Sequence, residues 1–551
     1  MDKLDGGRLV VKALKKEGVE NLFTLSGGHL MPIYDACLDE GIRLIDTRHE
    51  QAAAHMAEGW SLITRKMGVC AVTAGPGLTD AVTAVANAYQ SNTPMLILGG
   101  RSSLKENDIG TLQDIDQMSL MQPITKWARI CHHTHRIPFY IASAYRQALS
   151  GRPGPVYLEL PMDILFAKVE ESKVEFPENY RTEAKPAGDP ALVAQACALM
   201  AQAERPLILA GSGCYWSRAE EALKAFTEKT HIPVITRTSG RGILPDSNPL
   251  ALSGSMLELL PTLMTADTVL ALGTRFNFML LYGRIFQPQV KVIQVDIEPS
   301  EIGLNRGPDI GIFGDVRLVL EEMLKSREKI DGSAWAEQAR TMVSENAKSN
   351  RSEYDLKGTP IHPRRLVEEI RDVAGGEAIY ICDGGDIMLW GSEVFPAERP
   401  GSVIATGPLG CLGVGLPFAL AAKLAQPDRT VVLLSGDGTF GLNGMEFDTA
   451  VRHHLPVLCV IGNDQAWGMI KHGQELMFGF DRACACELGP VRYDKMVAAL
   501  GGHGEFVEKP EEIRPALERA LKSGKPACVN VLVESRFPHP VSKMAAESGV
   551  F

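Results

Sequence analysis

The chain holds 551 residues, 45% of them hydrophobic and 22% charged, too long for one hydrophobic core and ordinary for a water-soluble protein. At roughly 100–200 residues per domain, about three domains are expected. A net charge of −11 argues against a nucleic-acid surface, which needs a basic stripe, so no nucleic-acid partner is expected.

Residues 1–18 are charged and helix-like, without the apolar centre of a signal peptide. To about residue 170, short β-branched runs alternate with amphipathic stretches. Residues 69–73 read as a buried strand, Gly75-Pro76-Gly77 as a turn, 79–90 as a helix and 94–98 as the next strand. This alternation predicts a parallel, doubly wound sheet. Residues 167–190 are charged and proline-bearing, a linker. Strands at 206–209, 233–236, 268–272 and 290–296 begin a second α/β unit, and residues 326–360, polar and helical or irregular, form a second linker. Strand–turn–helix alternation returns from about 360 to 540, leaving 541–551 as a C-terminal tail. The expected fold is α/β: three doubly wound parallel-sheet domains over 1–170, 190–325 and 360–540. The first and third read as distant copies, because Gly75 to Pro94 and Gly436 to Pro456 span nearly the same length between matching strands.

Residues 404–422 carry no charge and are long enough to cross a membrane, but glycines and prolines interrupt them. A buried turn and helix is expected instead, with no membrane partner. The eleven cysteines sit mostly in apolar runs, as around Cys70 and Cys459, which is how reduced thiols of a cytoplasmic protein look. Cys484 and Cys486 lack partners at metal-ligand spacing.

The sharpest motif is Gly436-Asp437-Gly438, followed 27 residues later by Asp464 after Asn463. A carboxylate on a glycine turn at a strand end can ligate a hard dication, and the next helix start offers free N–H groups to phosphate oxygens. A tight turn without a ligand is the plain alternative. Here the sequence resembles thiamine-diphosphate enzymes, whose signature is this turn, a spacer of this length and then usually two asparagines. The resemblance covers the whole chain and implies pyrimidine-binding, middle and diphosphate-binding domains in this order. It implies that Asp437, the Asp464 side chain and the Ala466 carbonyl ligate Mg²⁺. Gly436, Gly438, Thr439, Trp467 and Gly468 would lie against thiamine diphosphate, with Gly384, Gly385 and Asp386 at the diphosphate. The family usually has Asn where Asp464 stands, and oxygen ligation survives that change.

Glu50, after Arg48-His49, occupies the position of the family's glutamate that hydrogen-bonds the pyrimidine ring; alone it would read as a helix-start carboxylate. Leu412 takes the place of the apolar wedge between the cofactor rings, and Gly410 offers its carbonyl to the pyrimidine. In this family the two halves of the site meet across a subunit interface, which implies a homodimer or homotetramer.

The N-terminal segment resembles benzaldehyde lyases, which implies that His29 and Gln113 handle protons on the substrate oxygens, beside Gly28. A lone histidine would otherwise be a structural residue. Met162, Met388 and Met469 replace the residues of that pocket, and an adaptable methionine wall need not favour a benzene ring. The middle segment, through Leu272-Gly273-Thr274-Arg275-Phe276 and the run after Asp296, resembles 2-hydroxyacyl-CoA lyases and oxalyl-CoA decarboxylases, which bind ADP or CoA there. Their Gly-Lys-Gly turn is Gly211-Ser212-Gly213 here. The FAD-associated pattern of acetolactate synthases is absent, so FAD is not expected. The implied activity is a carboligase or lyase of the acetolactate synthase superfamily acting on a small carbonyl substrate, with a 2-hydroxyacyl-CoA lyase as the alternative. A nucleotide-dependent oxidoreductase lacks its glycine fingerprint, and a silent homologue should have lost Glu50 or Asp437.

Overall fold

Runs of Val, Ile and Leu bounded by glycine or proline become strands buried on both faces, the composition of parallel sheets. The structure is a computed structural model and describes residues 3–352 and 354–547; residues 548–551 of the expected tail lie outside the described residues.

The first unit carries β1 (Lys3–Asp5), β2 (Asn21–Thr24), β3 (Arg43–Asp46), β4 (Gly68–Val72), β5 (Met95–Arg101), β6 (Trp127–Ile130), β7 (Pro155–Pro161) and β8 (Lys168–Glu170). Six form a parallel sheet in the order β3-β2-β4-β5-β7-β6. β1 and β8 pair antiparallel, Lys3 opposite Glu170, so the start of the stretch read as a linker is tied to the chain's beginning. The middle unit holds β9 (Pro206–Ala210), β10 (Val234–Thr236), β11 (Thr268–Leu272), β12 (Lys291–Asp296) and β13 (Ile310–Phe313), ordered β10-β9-β11-β12-β13. The third unit holds β14 (Ile379–Asp383), β15 (Val403–Ala405), β16 (Val431–Gly436), β17 (Leu458–Asn463), β18 (His503–Val507) and β19 (Ala527–Leu532). Its order, β15-β14-β16-β17-β19-β18, repeats that of the first unit strand for strand. The likeness of the two turn motifs therefore extends to the topology.

The second stretch read as a linker is largely the helix Ser333–Ser352, which buries Trp335, Ala339 and Val343 against Leu259 and Leu263 of the middle unit. Their spacing of four is a helical stripe. Residues 404–422 become the end of β15, a turn and most of the helix Gly415–Ala425, and among the described residues no helix is long and apolar enough to cross a membrane. Ten cysteines are buried and unpaired; Cys484 is exposed.

First and third units share one core. The alanine-rich helix Glu50–Thr64 lies on the helix Gly415–Ala425, and a Cβ on Gly59 would sit 3.0 Å from the Phe418 Cα. Small side chains let the two backbones approach this closely.

Candidate active site

Gly436 pairs with Gly462, so the turns leaving β16 and β17 emerge side by side at the carboxyl edge of the third sheet. That edge is where open α/β sheets bind ligands. Asp437 opens the helix Asp437–Asn443, and Asp464 follows β17. Asp437 is buried, and its Oδ2 has no hydrogen-bond partner among the described residues. Burial and then the neighbouring Asp464 carboxylate push the Asp437 pKa well up, and burial raises that of Asp464 too. Two buried carboxylates this close cannot both ionise without a counter-charge. An orphaned oxygen beside a second carboxylate fits a divalent cation.

The chain around the pair packs closely, and glycines allow it. Gln465 takes a left-handed φ of +59°, Ala466 N donates to Asp464 Oδ1 at 3.2 Å, and Trp467 N donates to the Cys486 carbonyl at 2.8 Å. A Cβ on Gly468 would collide with Asp464 Oδ2, and one on Gly438 would lie 2.6 Å from the Trp467 ring. A Cβ on Gly385 would lie 2.7 Å from that of Met469. Thr439 donates to Asp383 Oδ1 at 3.0 Å and accepts from Gly413 N at 3.0 Å, while Gly415 N donates to Asp383 Oδ2 at 2.7 Å. These bonds fix the turn that carries Gly410 and Leu412. Burial raises the Asp383 pKa to about 6.

A cavity of about 750 Å³ opens over this edge and is walled by all three units. Gly384, Asp386, Leu412, Asp437, Asp464 and Trp467 line it, with Met388 and Met469 among the apolar wall. Gly410, expected at the pyrimidine, lines it as well, but Glu50, His29 and Gln113 do not. They gather instead around Thr73, which follows β4. His29 Nδ1 meets Thr73 Oγ1 at 2.8 Å, and burial lowers the His29 pKa. Glu50 is buried at the start of its helix; burial raises its pKa, and a Cβ on Gly77 would lie 3.4 Å from its Oε1. Gln113, at φ +61°, lies against Gly75, whose Cβ would be 2.9 Å from that of Gln113. Gly28 begins a short turn beside His29, whereas Met162 opens the helix Met162–Phe166 outside the cavity lining. Among the described residues, the group around Thr73 and the cavity over Asp437 are therefore separate within one chain.

Several residues escaped the sequence reading. Thr73 is one. Another is Gln117, which accepts from Gly75 N at 2.8 Å and donates to buried Glu159 at 2.6 Å. His49, Glu50 and Asp80 also converge within 4.8 Å, and His472 pairs with Asp386. No local motif marks them, since each gains its place only when distant strands meet.

A second cavity, of about 180 Å³, lies at the carboxyl edge of the middle sheet. Arg65, Arg152, Lys185, Arg218 and Arg275 line it with Asp296, Asp315 and Glu301, the last paired with Arg152. Burial raises the Asp296 pKa to about 6. The Gly211-Ser212-Gly213 turn packs its backbone on Gly273, where a Cβ on Gly213 would lie 2.5 Å from the Gly273 Cα.

Three family descriptions match the chain in order: "Thiamine pyrophosphate enzyme, N-terminal TPP binding domain" over residues 4–120, its "central domain" over 193–323 and its "C-terminal TPP binding domain" over 383–531. An acetolactate synthase large subunit of Mycobacterium tuberculosis is 39% identical over 544 residues, 98% of this chain and 97% of that protein. A probable acetolactate synthase large subunit of Methanocaldococcus jannaschii is 33% identical over 96% of this chain and 92% of its own length. The human 2-hydroxyacyl-CoA lyase 1 is 29% identical over 97% of this chain and 95% of its own.

Proposed function

The chain belongs to the thiamine pyrophosphate enzyme family, in the group of acetolactate synthases and 2-hydroxyacyl-CoA lyases, and from that premise we propose a Mg²⁺-dependent carboligase or lyase that makes or cleaves 2-hydroxy carbonyl compounds. The observation that carries the metal reading is the buried Asp437–Asp464 pair with its orphaned oxygen. Those side chains and the Ala466 carbonyl would hold Mg²⁺, and the glycines of the two turns would admit the diphosphate. When bound, the cofactor supplies a carbon nucleophile for the substrate carbonyl and an electron sink for the bond that forms or breaks.

The chain's own residues set up the rest. Glu50, with its pKa raised by burial, would exchange a proton with the pyrimidine ring. Leu412 would support the ring pair from the turn fixed by Asp383 and Thr439. His29, disfavoured as a cation by burial, and Gln113 would orient the substrate oxygens by hydrogen bonds, His29 passing protons between them and solvent. Met388 and Met469 would wall the substrate.

Because the two half-sites are separate in one chain, the site would be completed by a second copy, in a homodimer or homotetramer. Exposed apolar side chains flank both halves and support this: Ile109 (71%) and Leu112 (79%) beside Gln113, Phe478 (66%) and Phe480 (80%) on the third unit. A panel of 2-oxo acids and aldehydes, assayed with thiamine diphosphate and Mg²⁺, tests the activity. Coupled or cleaved 2-hydroxy carbonyl products are expected, and inertness towards the whole panel would overturn the reading.

The cation-lined middle cavity favours a second reading, an acyl-CoA lyase that binds ADP or CoA beside Asp296. Cleavage of a 2-hydroxyacyl-CoA, together with thermal stabilisation by ADP, would select it over the simpler carboligase.

A further inference from the structure

Among the described residues, every charged group on the wall of the large cavity outside the Asp437–Asp464 pair has a partner except one. Arg241 pairs with Asp246 at 2.9 Å and donates to the carbonyls of Ser392 (2.7 Å) and Phe395 (2.9 Å). Asp386 holds His472, Glu393 holds Arg364 and His539, and Arg275 donates to the Gln90 carbonyl at 2.8 Å. Asp437 and Asp464 form the proposed metal pair. The Arg237 guanidinium, partly buried in the same wall, meets no carboxylate and no hydrogen-bond acceptor among the described residues. Burial and the adjacent Arg241 lower its pKa to about 10, so it stays charged at neutral pH. A partly buried cation without a counter-charge is unfavourable, and a ligand that supplies one accounts for its placement.

The backbone beneath it is fixed. Arg237 N donates to the Ala210 carbonyl at 2.9 Å, and Gly240 N returns to the Arg237 carbonyl at 2.8 Å. Gly240 sits so tightly that a Cβ would lie 2.5 Å from the Ala210 carbonyl oxygen. The next residue, Thr238, is β-branched yet holds a left-handed φ of +50°, a strained conformation that persists only where the surroundings enforce it. Strain and pinning together present one guanidinium to the cavity from the middle unit. The metal pair and the cofactor glycines face the same cavity from the third unit.

We propose that Arg237 recognises a carboxylate remote from the reacting carbonyl, so that the preferred substrates are 2-oxo acids with a second, terminal carboxylate. The inference rests on the carboligase reading above and names its substrate class. A single planar guanidinium matches one carboxylate through two parallel N–H bonds. A polyphosphate would require several cations together, and those lie in the other cavity.

The test compares the holoenzyme, loaded with thiamine diphosphate and Mg²⁺, on 2-oxo mono- and dicarboxylates of equal chain length. The wild type should favour the dicarboxylate in kcat/KM. Arg237→Met should cut the dicarboxylate-to-monocarboxylate ratio about tenfold to a hundredfold, chiefly through KM, and Arg237→Lys should recover part of it. Calorimetric titration of the dicarboxylate into wild type and Arg237→Gln gives the same comparison without turnover. Equal ratios in wild type and variants would overturn the inference while leaving the carboligase reading intact. Loss of acyl-CoA binding in the variants, with no effect on dicarboxylates, would also overturn it. Failure of the wild type to bind thiamine diphosphate would instead sink the reading beneath.

Discussion

His472 sets one ring nitrogen 2.7 Å from Asp386 Oδ2 and the other 2.6 Å from the Ser535 carbonyl. A carbonyl only accepts, so the nitrogen facing Ser535 donates, and the second bond to the Asp386 carboxylate favours the imidazolium form. The other Asp386 oxygen accepts from Ser542 on the helix Pro540–Glu547, whose Val541 and Ser542 line the large cavity. The carboxylate expected at the diphosphate is thereby tied to the C-terminal segment.

That pairing has a pH consequence. Burial opposes the charged ring, but the bonds to Asp386 and Ser535 outweigh it and raise the His472 pKa. Its stabilisation is therefore complete below the unfolded value of about 6.5 and is lost as pH rises through the folded value. Urea denaturation across this range should show stability falling, and His472→Ala should remove that slope and cost about 1–3 kcal/mol at pH 6. It should also speed proteolytic cleavage near residue 538. A slope unchanged in the variant would show that the ring is not the titrating group.

Glu446 makes a second, separable contribution. It accepts from Arg48 N at 3.0 Å across the contact of the first and third units and from the Thr449 hydroxyl on its own helix, and burial raises its pKa to about 7. Between its ordinary value near 4.5 and about 7, the folded state holds a proton that the unfolded chain has released. Stability then falls with rising pH, by at most about 1.4 kcal/mol per pH unit. Glu446→Gln should flatten this window. A steeper slope in the variant would contradict the assignment.

Gly468→Ala probes the metal site without replacing a ligand. The new Cβ would collide with Asp464 Oδ2 and turn that carboxylate away from Asp437. Mg²⁺ affinity should fall at least about tenfold, with a metal-free melting temperature within a few degrees of wild type. Unchanged affinity, measured by calorimetry, would remove Asp464 from the ligand set.

The sequence and the fold agree most closely where local chemistry sets the outcome. Buried strands such as 268–272, the glycine turn at Gly436 and the helix start at Glu50 are written in neighbouring residues. The helix Ser333–Ser352 was legible only as polar and helical or irregular, because its buried stripe of Trp335, Ala339 and Val343 is sparse. Thr73, Gln117 and His472 were silent, since each acquires its partner from a segment tens of residues away. Arg237 was equally invisible: an unpaired guanidinium is defined by what the fold fails to bring near it.

Completion by a second copy makes a sharp prediction. Glu50→Gln and Asp437→Asn should each abolish activity in a folded protein. Co-expressed, the two dead variants should regain activity, because a mixed dimer contains one site with Glu50 from one copy and Asp437 from the other. Mixed dimers isolated with two affinity tags and found inactive would place both residues in a site within one chain.

Melting metal-stripped protein with and without thiamine diphosphate and Mg²⁺, beside Asp437→Asn, reads cofactor binding at the carboxylate pair. At about a hundred times the dissociation constant, a ligand confined to the native state adds about 2.7 kcal/mol. A clear rise for the wild type that needs both ligands together, and is absent in the variant, is the predicted result. The same melting temperature with and without the cofactor would contradict the account at its root.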